Sequence, residues 1–184
     1  MIMEWNRCVE PGDTVYHLGD FTLCGVLLAD QYFKQLHGEV KVLSNPWHHD
    51  KGWLNRDYRC TTMGRNGTHY TVKKLGSIEV LENLAGQLLP IVLCHYPFAR
   101  WDRSHHSSWH LHGHSHGKYH GDGLILDVGV DSAYKYFKKY RPFSIDDVQA
   151  IMDIKKHNME MNHEQSKLHA NSSSSDSYCA TGIY

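Results

Sequence analysis

Close cysteine pairs are lacking in this chain: Cys8, Cys24, Cys60, Cys94 and Cys179 lie far apart, with no CxxC spacing. An odd, scattered set argues against a disulfide framework and fits free thiols in a reducing compartment. No apolar run reaches membrane-spanning length, and the opening Met-Ile-Met-Glu-Trp-Asn-Arg lacks the charged-then-apolar order of a signal peptide. The expected location is cytoplasmic, with no membrane partner. Neither sign of charge dominates, since 19 Lys and Arg stand against 20 Asp and Glu. That leaves no basic field for stable nucleic-acid binding. There is no P-loop, no dinucleotide-binding glycine pattern, no serine nucleophile elbow and no internal repeat.

Histidine is what the chain has in excess: 16 residues, eight of them between His95 and His120. The densest stretch is "HLHGHSHG", residues 110–117, with imidazoles at every second position. Alternate residues of a strand point to one face, and neutral imidazole is a favoured ligand for zinc, manganese, iron and nickel. Gly113 and Gly117 permit a tight turn that gathers His114 and His116 around one centre. Taken alone, the pattern reads equally well as histidines on a solvated hairpin.

With 184 residues and 41% hydrophobic content the chain can bury one core, so a single domain is expected. "DTVYHLGDF", residues 13–21, reads as a strand running into a Gly-Asp turn. Residues 25–38 carry helical spacing before a glycine, and "EVKVL", residues 39–43, reads as a second strand that empties into the loop "SNPWHHDKGW". Further on come the short strands "HYTVKKL" and "SIEVL", a helical "LENLAGQL", the continuous apolar run "LPIVLCHYP" and "GLILDVGV". The fold class is therefore α/β grading into a strand-rich second part. Three strands end in metal-competent residues: Asp20, the His48, His49, Asp50 group, and His95. Sites of α/β folds lie at such strand ends. Ser144 and Asp147 form a capping box opening a last helix, "IDDVQAIMDIKK". The domain is expected over 1–158, with a disordered, serine-rich polar tail over 159–184.

Gly19-Asp20, the "HHD" loop, "CHYP" and "GHSH" follow one another in a fixed order. Together they resemble the calcineurin-like metallophosphoesterase superfamily, nearest to its small bacterial and phage phosphohydrolases, over residues 10 to 150. The family order is D-x-H, G-D, G-N-H-D/E, a lone H, then G-H-x-H. The resemblance implies an αββα sandwich of two mixed sheets flanked by helices. It also implies hydrolysis of phosphomonoesters or phosphodiesters, with a small phosphoester, a nucleotide or a nucleic acid as substrate. The implied cofactors are divalent metal ions, two in a complete site: Mn2+, Fe2+/Fe3+, Zn2+ or Ni2+.

Carried over motif by motif, Asp20 bridges the two cations and takes part in catalysis, His95 and His114 ligate the second metal, and His116 the first. His112, Asp127 and Asp131 become partners that orient the ligating imidazoles. His110 and the other nearby histidines fall to the rim of the site. In the middle motif two alignments stand: Asn45 keeps the ligand role with an insertion behind it, or, in the ungapped fit, His48 is the ligand and His49 the catalytic histidine. Arg100 and Arg103 are candidates for binding the anionic substrate, the plainer reading being a solvated pair on a loop. The chain departs from the family at its start, because no Asp-x-His occurs anywhere in it. The expectation is thus a fold shortened at its N-terminus and a first metal short of ligands. The reading is either an impaired phosphoesterase or a non-catalytic module that binds a metal or a partner.

Overall fold

A computed structural model describes residues 1–54, 59–63, 69–82 and 90–173. It is mixed α/β, with two four-stranded sheets and four α-helices among the described residues. The order is α1 (Ile2–Cys8), β1 (Thr14–His17), α2 (Val26–Phe33), β2 (Glu39–Val42), β3 (Arg59–Met63), β4 (His69–Lys74), β5 (Ile78–Leu81), β6 (Ile91–Cys94), β7 (Trp109–His112), β8 (Ile125–Asp127), α3 (Val130–Phe137) and α4 (Ile145–Ser173). The helical reading of "LENLAGQL" falls almost wholly outside the described residues.

The first sheet runs β1-β2-β4-β3, with β1, β2 and β4 parallel and β3 antiparallel at one edge. The second runs β5-β6-β7-β8, with β6, β7 and β8 parallel and β5 antiparallel at one edge. Strand pleating explains how each sheet is covered. Val40 and Val42 alternate with half-buried Glu39 and Lys41, and they pack with Ala29 and Phe33 of α2, Trp53, Leu54 and Val72. The residues of β6 are buried on both faces, as its unbroken apolar run requires. Ile91 and Leu93 join Trp109, Leu111, Leu124 and Leu126 in a second cluster, which Val148 and Met152, one turn apart on α4, also enter.

The capping box at α4 forms: the Ser144 backbone N–H donates to the Asp147 carboxylate and the Asp147 N–H to the Ser144 hydroxyl. The reading of residues 159 onward as a disordered tail is corrected as far as Ser173, because α4 runs unbroken to that residue. Residues 156–169 of this helix are nearly all exposed, and Lys, Glu, Gln, Met and Leu among them are good helix formers that need no packed face to propagate a helix already begun. The rest of the tail lies outside the described residues. No described helix is long and apolar enough to cross a membrane. Cys8, Cys24 and Cys94 are free thiols.

Candidate metal centre

Every residue of interest follows the carboxyl end of a parallel strand. Asp20 comes after β1, His48 and His49 after β2, His95 after β6, and His114 and His116 after β7. The two sheets meet here: His95, from the second, lays its Nδ1 3.0 Å from the carbonyl oxygen of Leu18, at the end of the first. That bond fixes the ring and turns Nε2 toward Asp20, 3.4 Å from its Oδ2. His114 completes the group, so Asp20, His95 and His114 offer ligand atoms all within 4.8 Å of one another. Three stretches far apart in the chain converge on one point, a set of one carboxylate and two imidazoles that suits a divalent transition metal.

Burial, and next the neighbouring His48, lower the pKa of His95 to about 4, which keeps its ring neutral at pH 7 with the lone pair free. His48 is 1% exposed, its ring centroid 4.1 Å from that of His95, and burial lowers its pKa too. Neither of its ring nitrogens has a hydrogen-bond partner among the described residues. A buried imidazole with both nitrogens idle beside a three-residue donor group fits a cation site, since buried polar atoms are otherwise paired. Gly19 makes this approach possible. It sits at φ 108°, and a Cβ on it would lie 2.5 Å from His48 Nδ1.

Two buried carboxylates hold the ligand-bearing turns. Asp50, fully buried, accepts the backbone N–H groups of Phe21 and Thr22 and the indole N–H of Trp53, which locks the turn after Asp20. Asp127 accepts the N–H groups of Gly117 and Gly129 and the hydroxyl of Ser115, which locks the "GHSHG" turn. The turns are strained: Asp20 (φ 57°), His114 (φ 61°) and His116 (φ 50°) all lie in the left-handed region that non-glycine residues avoid. Such strain gathers where a site demands it.

The four histidines of "HLHGHSHG" have four different roles. His114 belongs to the donor group. His116 is exposed and stays outside it, its Nδ1 2.6 Å from Asp131 Oδ2. His112 is 1% exposed, with Nδ1 2.8 Å from the carbonyl oxygen of Gly113, inside the turn that carries His114. His110 is not at the rim as expected. It is fully buried, accepts the Phe98 N–H at Nε2, and so carries its proton on Nδ1, 2.9 Å from the Val92 carbonyl oxygen. The reason is that β7 is buried on both faces, with the Phe98 ring stacked on His110 at 4.9 Å.

Asn45 and His48 are now distinguishable by position. The Asn45 Oδ1 accepts the Trp47 N–H in a local turn, whereas His48 lies against His95. His49 is exposed, and its backbone N–H donates to Asp20 Oδ1, tying the second loop to the first. Arg100 and Arg103 are exposed on the connection between β6 and β7 and form no ion pair with any described residue. Sequence reasoning missed Tyr96, whose ring sits edge-on to His95 at 4.8 Å and to His114 at 4.6 Å. Its place directly after His95 in "CHYP" was the available signal. Compared with protein-family models, curated proteins and solved structures, the chain matches none.

Proposed function

We propose that the chain is a metal-dependent phosphoesterase built as an αββα sandwich, with Asp20, His95, His114 and His48 as the residues that hold the cation. The observation that carries this reading is the convergence of Asp20, His95 and His114 from three separate strand ends, with an unpartnered His48 ring beside them. A cation bound there supplies Lewis acidity toward a phosphoryl oxygen and acidifies water. The chain's own residues do the rest. Asp50 and Asp127 fix the two ligand turns, and the Leu18 carbonyl sets the tautomer of His95 with the proton on Nδ1. His49, exposed next to the cluster and tethered through its N–H to Asp20, is the general acid that protonates the leaving oxygen. Exposed Arg100 and Arg103 attract the substrate anion.

The test is a Mn2+ titration by calorimetry together with hydrolysis of bis-p-nitrophenyl phosphate. Metal-dependent turnover that His49→Ala removes while Mn2+ binding persists supports the reading. Mn2+ binding with no turnover in the unaltered chain overturns it in favour of a second reading, a metal-binding module without catalysis. One observation favours that alternative: His116 is held by Asp131 outside the donor group, leaving Asp20, His95 and His114, with His48 beside them, for one cation rather than a double set.

A further inference from the structure

A cavity of about 190 Å3 lies beyond the loop that carries His48, at the carboxyl ends of the adjacent parallel strands β2 and β4. Its lining includes Ser44, Asn45, Asp50, Lys51 and Lys74. Two backbone hydrogen bonds knit the chain just past the two strands: the Leu75 N–H donates to the Val42 carbonyl, and the Ser44 N–H to the Gly76 carbonyl. The cavity exceeds the about 30 Å3 share of one water molecule several-fold but falls short of the about 300 Å3 at which pockets for whole cofactors begin. It is the size for a single polyatomic group and its water.

The lining chemistry selects the charge of that group. Lys51 and Lys74 form no ion pair with any described residue. The Asn45 Oδ1 is taken by the Trp47 N–H, which leaves its amide N–H2 as the part free to donate. Ser44 adds a hydroxyl. The one acid among the described lining residues, Asp50, already accepts three N–H donors from Phe21, Thr22 and Trp53, so its negative charge is compensated inside the protein. What remains among the described lining residues, beside the apolar Pro46 and Leu54, is a donor-rich set with two ammonium charges, which favours an anion over a cation. Lysine binds phosphate as a point charge, which suits a pocket without a planar fork.

We propose that this cavity is a phosphate-binding site, distinct from the Asp20, His95, His114 group and independent of any metal. Its occupant is a phosphate-type oxyanion, either the free ion or one phosphate of a longer phosphate chain. The site stands on its own lining and holds even if the chain has no hydrolytic activity.

The test is calorimetric titration of the full chain in EDTA with inorganic phosphate and, separately, with pyrophosphate. Chelation removes any contribution of a metal centre, so the outcome is separate from that of the phosphoesterase reading. Saturable binding that weakens about tenfold or more in each of Lys51→Gln and Lys74→Gln, with the exposed Lys118→Gln as charge control left unchanged, supports the site. Tighter binding of pyrophosphate assigns it to a phosphate chain, and tighter binding of phosphate to the free ion. Circular dichroism confirms that the variants fold. No saturable binding of either probe, or equal weakening in Lys118→Gln, overturns the proposal.

Discussion

The rings of His48 and His95 lie 4.1 Å apart, centroid to centroid, and His48 leaves both of its buried nitrogens without a hydrogen bond among the described residues. A buried polar group in that state costs about 1–3 kcal/mol. His48→Leu, which keeps much of the volume and removes the idle nitrogens, is therefore expected to leave the metal-free protein as stable as before or more so. Mn2+ should raise the melting temperature of the unaltered chain, and the same variant should lose that rise. Urea unfolding in EDTA and thermal melts with and without Mn2+ check the two halves. A loss of several kcal/mol in EDTA would mean that His48 serves packing rather than a ligand.

Strain at the proposed ligands gives a second prediction. His114 sits at φ 61° in an exposed turn, where a left-handed L-residue costs about 1 kcal/mol more than glycine. His114→Gly and His114→Ala remove the same imidazole, so both should abolish tight Mn2+ binding. Only the glycine variant relieves the backbone, and it should be the more stable of the two by about 1 kcal/mol. Equal stability would mean that the turn accommodates a Cβ without strain.

Asp50 carries a third. Its carboxylate hydrogen-bonds to none of the proposed ligands, yet it holds two backbone N–H groups directly after Asp20 and the Trp53 indole. Hydrogen bonds to a charged group contribute about 1.5–3 kcal/mol each, and losing the shared acceptor strands its donors, so Asp50→Ala should destabilise the fold by about 3 kcal/mol or more. Asp50→Asn keeps one acceptor oxygen and the volume. It should fold, and lose about 10–100-fold in Mn2+ affinity as a ligand-orienting contact does. Unchanged affinity in a folded Asp50→Asn would show that the turn after Asp20 holds its shape by itself.

Much of this site was legible in the sequence because ligand residues at strand ends are local features. A β-branched or apolar run followed by Gly-Asp, or by His and Tyr, marks both the strand and what stands at its end. The order of these motifs, through the family resemblance it carries, pointed to Asp20, His95 and His114 along with His116 and either His48 or Asn45, and the structure gathers the first three into one donor group. What could not be read is which faces become buried. His110 looked like a polar residue on a strand face, but Phe98 covers that face, and only the path of the β6 to β7 connection brings Phe98 there. The partner of His116 was likewise one of several nearby acids until α3 presented Asp131. The extent of α4 was missed because helix propensity without an apolar stripe looks the same as disorder to a periodicity argument.

The Arg141 and Asp147 pair supplies a prediction away from the candidate metal centre. Two guanidinium nitrogens donate to the two oxygens of Asp147, at 2.7 Å and 2.9 Å, while the same guanidinium lies 3.7 Å from the centroid of the Phe137 ring. The bonds from Arg141, helped by those from Ser144, hold the Asp147 carboxyl down at about 2 against an ordinary value of 3.8. A carboxyl whose pKa is lower in the folded than in the unfolded chain adds stability above the unfolded value and loses it as pH falls through the folded one. Asp147 should therefore make stability fall between pH 3.8 and pH 2. Arg141→Gln removes the main cause of the shift, so the difference in melting temperature between the unaltered chain and this variant should be largest above pH 4 and shrink toward pH 2. Arg141→Lys, which keeps the charge without the paired geometry, should fall between the two. A difference that stays constant across this range would mean that Arg141 acts through its stacking on Phe137 and not through the Asp147 carboxylate.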